Sequence, residues 1–111
     1  MSAADELVAI VRQNRILREV RRERERQDGT WGEQNHSPEV WLMILSEEIG
    51  EASREMLEAW VDETYPGTKH TPETRLAHLK EYRRELVQVA AVAIAMIESV
   101  DRNELREAED G

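Results

Sequence analysis

The chain has 111 residues, enough for one domain, and it contains no cysteine, which excludes disulfides, thiolate metal sites and cysteine nucleophiles. Its formal net charge of -9 argues against nucleic acid polymers and anionic membranes as main partners. That charge still allows a phosphorylated small molecule, which needs only local positive charge or a bound cation. Ala, Leu, Glu and Arg dominate the sequence and Phe is absent, which predicts an all-α fold.

The first helix is predicted over residues 5–27, where apolar residues recur at helical spacing. It ends in the charged stretch REVRRERERQ, which we interpret as a solvated helix end. A basic arm that reaches phosphate is the alternative. Residues 28–38 are predicted to form a loop, because Asp28-Gly29 and Gly32 interrupt the helical pattern.

The second helix is predicted over residues 38–62 and the third over 72–100. Each starts with a hydroxyl-bearing cap followed by proline, and the two caps are Ser37 and Thr71. A turn at Pro66-Gly67 is predicted between them. The acidic end NELREAEDG is predicted as a short C-terminal helix, and the whole chain, 1–111, as a single helical domain.

Targeting and membrane-spanning segments are not expected. The N-terminus has no basic stretch followed by an apolar one, and the longest apolar run, residues 86–97, is too short to span a bilayer. We therefore expect a cytoplasmic protein.

Several carboxylates of the second helix lie near its apolar side. At about 100° per residue, Glu48 and Glu55 fall on the flank of the apolar arc centred on Leu45. Glu51 borders this arc, and Glu47 points away from it. Burying ionised carboxylates is costly unless they are paired, solvated or bound to a cation.

The third helix repeats this arrangement. Its stretch LVQVAAVAIAMI is apolar nearly all round, and Glu85 and Gln88 share a stripe with Val92 and Met96. Most nearby basic residues face outward, so a divalent cation such as Mg²⁺ or Mn²⁺ is the favoured explanation. A solvated acidic face is the alternative.

EEIGE followed by ELVQVAAVAIAMIE resembles the MazG-like, all-α nucleoside triphosphate pyrophosphohydrolases, and the resemblance covers roughly residues 25–100. The metal signature of that family is E-x-x-E on one helix and E-x-x-D on the next. Here it reads Glu48 and Glu51, then Glu85 and Gln88. Gln88 replaces the usual Asp and brings no charge, which predicts weaker metal binding. Two further glutamates lie one turn from signature positions and are candidates to compensate, Glu55 and Glu81.

The resemblance implies an Mg²⁺-dependent enzyme, with Mn²⁺ as a possible substitute, that hydrolyses a nucleoside triphosphate to its monophosphate and pyrophosphate in nucleotide-pool housekeeping. The metal ligands would be Glu48, Glu51, Glu85 and Gln88, and the three glutamates would be catalytic with Glu47. Glu47 would be the base or an outer-shell ligand. The alternatives are a catalytically weak or inactive nucleotide-binding or regulatory module and a purely structural helical oligomer.

The loop TWGEQNH offers stacking and hydrogen-bonding groups suited to a base and sugar. The predicted recognition residues are Trp31, Gln34, Asn35 and His36. Covering the end of the core and capping the second helix are the alternative roles. Phosphate binding is predicted for Lys80, Arg83 and Arg84, with solvated surface positions as the alternative. Trp41 and Trp60 are predicted to be core or interface residues.

Three helices make a thin bundle, and the apolar surface of the third exceeds what two neighbours can cover. Association with a second copy would bury it, and C2 dimers are the commonest solution. The resembled family is likewise built from dimers or larger assemblies, so we expect a homodimer or homotetramer.

Overall fold

The computed structural model describes residues 1–64 and 71–106, apart from the side chains of residues 62 and 63, and this part of the chain is all-α. The elements are α1 (Ala3–Trp31), α2 (Pro38–Thr64) and α3 (Pro72–Val100), and a π-helical segment (Asp101–Leu105) continues from α3. The predicted fold class is confirmed. The predicted Pro66-Gly67 turn and residues 107–111 lie outside the described residues.

The starts of α2 and α3 follow from the predicted caps. The backbone N–H of Val40 donates to Ser37 Oγ at 3.4 Å. At α3 the N–H of Thr74 donates to Thr71 Oγ1 at 3.1 Å, and the N–H of Thr71 donates to Thr74 Oγ1 at 2.8 Å. This reciprocal capping box satisfies two backbone donors, and Pro72 then takes the first helical position.

The helix α1 is longer than predicted at both ends, and the prediction that Asp28-Gly29 ends it is wrong. An ion pair between Arg24 and Asp28, at 3.0 Å and one helical turn apart, stabilises the segment. One glycine inside a helix costs only about 1 kcal/mol, so Gly29 does not terminate it. The helix ends at Gly32, whose φ of 71° is readily adopted by glycine and whose N–H donates to the Asp28 carbonyl at 2.8 Å.

The core lies between α2 and α3. Trp41 of α2 packs with Val92 and Ala95 of α3, and the partly buried side chains around them are Ile44, Leu45 and Met96. The prediction that Trp41 is a core residue is confirmed, whereas Trp60 is about half exposed.

The helix α1 packs against α3 but stands away from α2. Within residues 1–64 and 71–106, no Cα atom of α1 lies within 8 Å of one in α2. Val20 is the buried residue of α1. Because α1 stands away from α2, an open space remains between α1 and the α2–α3 core. The candidate site lies in this space. No helix in the described part of the chain combines the length and apolarity needed to cross a bilayer.

Candidate functional site

Three carboxylates converge where α2 and α3 face each other. Glu48 and Glu51, three residues apart, lie on one side of α2, and Glu85 faces them from α3. One carboxylate oxygen from each lies within 4.8 Å of the other two, close enough to hold a single metal ion. The predicted convergence is confirmed, and we call these three residues the acidic cluster.

The acidic cluster carries unrelieved negative charge. The pKa of Glu48 is raised, first by partial burial and then by the neighbouring negative charges, foremost that of Glu51. The pKa of Glu85 is raised by partial burial, and next by a hydrogen bond with Glu51 and by its charge. Closely spaced carboxylate oxygens are the donors preferred by Mg²⁺ and Mn²⁺, so these residues fit a divalent cation.

Gln88 lies beside the acidic cluster, one turn after Glu85. With its amide nitrogen turned toward the carboxylates, Gln88 donates to Glu48 at 3.1 Å and to Glu85 at 3.2 Å. With the amide rotated the other way, its carbonyl oxygen faces the same carboxylates and can join them as a cation ligand. The role of Gln88 as a metal ligand stays a prediction, but its position beside the cluster agrees with it.

A cleft of about 430 Å³ opens beside the acidic cluster, between α1, the loop that follows it, α2 and α3. Its apolar lining comes from Trp41, Ile44, Val92 and Ala95. Glu48 and Gln88 also line it, so the cleft reaches the cluster.

Three of the four residues predicted to recognise base and sugar line this cleft. Trp31 presents a largely exposed ring, and Gln34 and His36 are half-buried. Asn35 lies outside the lining, and its Oδ1 accepts hydrogen bonds from Arg102 at 2.8 Å and Asn103 at 2.9 Å. Asn35 therefore connects the loop to the π-helical segment that follows α3. The cap of α2 comes from Ser37, as given above, and not from Asn35 or His36.

The residues predicted to bind phosphate lie elsewhere. Lys80, Arg83 and Arg84 are exposed and do not line the cleft. Arg83 pairs with Glu19 of α1 at 2.5 Å and 3.2 Å, and Arg84 lies 3.7 Å from Glu81. Their phosphate-binding role stays a prediction.

Of the arginines that do line the cleft, Arg102 was not predicted, and Arg24 and Arg26 belong to the stretch whose alternative interpretation was a basic arm. Arg24 pairs with Asp28 and Glu98, Arg26 with Glu23, and Arg102 with Glu33. The interpretation of REVRRERERQ as a solvated helix end needs correction, because the side chains of Glu23 and Arg24 are only 14% and 15% exposed. Charge alternation in this stretch is visible in the sequence, but only the packing of α1 on α3 selects which charges face inward.

The lining of the cleft is acidic on balance. Five carboxylates line it against three guanidinium groups, and each arginine already has a carboxylate partner. A phosphate group entering alone would meet net repulsion. The cleft suits a phosphorylated ligand only together with a cation.

A second cluster lies farther along the same pair of helices. His78 Nδ1 is 3.1 Å from Glu55 Oε2 and 3.9 Å from Glu58 Oε2. The position of Glu55 on the apolar flank was visible in the sequence, but no pattern marked His78 as its partner. Glu55 therefore does not reinforce the acidic cluster, and neither does Glu81, which lies beside Arg84.

No family model, curated protein or solved structure matches this chain. The resemblance to the MazG-like enzymes therefore depends on the sequence motifs alone and stays a prediction.

Proposed function

We propose that the chain is a divalent-cation-dependent nucleoside triphosphate pyrophosphohydrolase of the MazG-like kind. The observation that carries this proposal is the convergence of Glu48, Glu51 and Glu85 within 4.8 Å beside a cleft that also holds Trp31 and His36. The carboxylates of the acidic cluster suit a cation and phosphates, and the aromatic rings of the adjoining cleft suit a nucleoside.

The residues of the acidic cluster would hold the cation, Mg²⁺ or Mn²⁺, together with the carbonyl of Gln88. The cation supplies positive charge where phosphate oxygens bind and where negative charge develops. Glu47 is exposed, and its charge contributes to the raised pKa of Glu48, so it lies close to the cluster. In this proposal Glu47 would accept a proton from the water that attacks phosphorus.

The charge of the cleft supports an obligatory role for the cation. Because the lining is net acidic, the triphosphate binds only with the metal that neutralises it. The guanidinium groups of Arg24, Arg26 and Arg102 are already paired with carboxylates, so in this proposal the cation supplies the positive charge that the phosphates need.

The function is tested by incubating the protein with a panel of ribo- and deoxyribonucleoside triphosphates and Mg²⁺, with product identification. The expected products are the nucleoside monophosphate and pyrophosphate, with no activity in EDTA. Release of orthophosphate, or activity that persists in EDTA, contradicts the proposal.

A second candidate function is nucleotide binding without turnover. The specific observation that favours it is the neutral Gln88, whose amide can satisfy Glu48 and Glu85 by hydrogen bonds. Nucleotides would then raise the melting temperature in Mg²⁺ without pyrophosphate release.

We also propose that the chain acts as a homodimer, or as a homotetramer built from it, in the cytoplasm. The accessible surface is 8455 Å², against roughly 6300 Å² expected for a folded monomer of this mass. Four apolar side chains near the start of α1 are at least half exposed: Leu7, Val8, Ile10 and Val11. An excess of this size on one chain is larger than the roughly 800 Å² per partner of a standard interface and falls in the range of obligate homodimers. Sedimentation equilibrium measures the mass directly, and a monomer at micromolar concentration contradicts this proposal.

A further inference from the structure

The indole nitrogen of Trp41 is an unpaired donor inside the cleft wall. Trp41 is only 4% exposed, and its Nε1 has no hydrogen-bond partner. Within residues 1–64 and 71–106, no other buried side-chain nitrogen or oxygen lacks a partner. Buried donors are nearly always paired, so an unpaired one calls for an explanation. The position of Trp41 in the cleft supports one explanation, namely that a bound ligand supplies the hydrogen-bond acceptor.

The position of Trp41 in the cleft defines which part of a ligand it meets. Trp41 precedes Glu48 by seven residues on α2, which places it about 10 Å away along the helix axis. It packs against Val92 and Ala95, and together with Ile44 these residues form the apolar part of the cleft wall in which its Nε1 is buried. A charged phosphate oxygen would be poorly solvated there, whereas a neutral acceptor would not.

We propose that the indole N–H of Trp41 donates a hydrogen bond to a neutral acceptor on the sugar–base half of the bound nucleotide. This inference rests on the proposed function and adds a specificity-determining residue to it. The acceptor is a carbonyl oxygen or unprotonated ring nitrogen of the base, or a sugar oxygen. In this arrangement the metal and phosphates lie beside Glu48, and the sugar or base lies beside Trp41. Different residues therefore contact the two halves of one ligand.

Access to this donor requires a small rearrangement. Nε1 has less than 1 Å² of exposed surface, so a ligand atom reaches it only after a cleft side chain turns. His36 meets the Trp41 ring edge-on, with centroids 4.9 Å apart and an interplanar angle of 78°. His36 lies in the loop before α2 and is half-buried beside this ring, so we include its movement in the proposal.

The test uses the three tryptophan indole N–H signals in a ¹H–¹⁵N correlation spectrum, assigned with the Trp31→Phe and Trp60→Phe variants. The full chain is titrated with Mg²⁺ and non-hydrolysable α,β-imido triphosphates of each common base. The expected result is a saturable downfield shift and slower solvent exchange of the Trp41 indole proton, with Trp60 unchanged.

The outcomes separate this inference from the proposed function. Nucleotide-dependent shifts elsewhere, with the Trp41 indole proton unmoved, overturn the inference and leave the function standing. No spectral change with any analogue, together with no pyrophosphate release, overturns both.

A functional readout completes the test. Replacing Trp41 with 3-benzothienylalanine keeps the ring shape and removes the donor, so folding should be retained. The expected effect is an affinity for the analogue about five- to tenfold weaker, the size of one hydrogen bond. Trp60→Phe, on the same helix but outside the cleft, should bind as the wild type does. Equal affinity of the benzothienyl variant and the wild type overturns the inference.

Discussion

The helix pair α2–α3 carries two clusters built from the same local pattern, and their surroundings differ. Glu48 and Glu51 form one E-x-x-E pair, and Glu55 and Glu58 form the next. Opposite the first pair, α3 presents the carboxylate of Glu85. Opposite the second pair, it presents the imidazole of His78.

This difference shows that spacing on one helix does not define a metal site. In the second cluster the imidazole contacts Glu55 at 3.1 Å, so a hydrogen bond joins the helices without an ion. In the acidic cluster a third carboxylate adds to the repulsion, and the pKa values of Glu48 and Glu85 are raised. We therefore propose cation binding at the acidic cluster and a structural role for the second cluster.

The largest expected effect comes from changing one glutamate in each cluster. Glu51→Gln should lower Mg²⁺-dependent pyrophosphate release by about 100-fold or more, because it removes charge from the metal ligands. Glu58→Gln is the matched control, since Glu58 is the exposed second glutamate of the other E-x-x-E pair. Equal activity of both variants in a steady-state pyrophosphate assay would show that the assignment of the two clusters is mistaken.

The next effect is the stabilisation of the protein by Mg²⁺ alone. A ligand of the native state at 100 times its Kd adds about 2.7 kcal/mol to the free energy of unfolding, so the melting temperature should rise by several degrees. Scanning calorimetry should show this rise in the wild type and in Glu58→Gln. In Glu51→Gln it should be lost, and a rise that survives there would place the ion elsewhere.

Replacing Gln88 tests whether one more negative charge beside the acidic cluster strengthens metal binding. Gln88→Asp should tighten Mg²⁺ binding about tenfold, because an added unit charge about 4 Å from a divalent ion is worth roughly 8 kcal/mol and repulsion among the carboxylates offsets most of it. Gln88→Asn is the control, being of the same length but neutral. Isothermal titration calorimetry measures both, and no gain in the Asp variant would mean that this position does not face the ion.

Much of this arrangement follows from local sequence information. The caps at Ser37 and Thr71 and the helical period fix where α2 and α3 begin and which residues share a face. This predicted that Glu48, Glu51 and Glu85 lie near core-facing sides of their helices, whereas their grouping at one site was what the family resemblance implied.

The remainder depends on contacts that form only when the chain folds, which no local pattern encodes. The arginines of the cleft, the extension of α1 past Gly29 and the pairing of His78 with Glu55 all arise from contacts within or between folded helices. The unpaired nitrogen of Trp41 is likewise visible only once its neighbours are in place. The apolar residues at the start of α1 fit the helical period, yet they stay exposed in the single chain, so periodicity predicted the helix but not its partner.

A smaller effect, on the free energy of unfolding, should come from replacing one residue of each cluster in the absence of metal. His78→Ala removes the hydrogen bond to Glu55 and should lower the free energy of unfolding by about 1 kcal/mol. Glu85→Gln relieves repulsion among carboxylates and should leave that free energy unchanged or raise it. Urea unfolding in EDTA measures both. A loss in Glu85→Gln as large as in His78→Ala would mean that the two clusters do not differ in this way.

The smallest expected effect is a pH dependence confined to the acidic cluster. Because the pKa of Glu48 is higher in the folded than in the unfolded protein, the native state retains a proton that the unfolded state has released. The free energy of unfolding from this group is therefore highest below the ordinary value of 4.5 and falls as the pH rises through the raised pKa. Glu48→Gln removes the titrating group, so in EDTA and low salt the variant should gain stability relative to the wild type as the pH rises toward neutrality. Glu48 is partly exposed, so water and salt screen the repulsion and keep the difference small. A stability difference between wild type and variant that does not change across this range would show that the charge of Glu48 is already compensated without a cation.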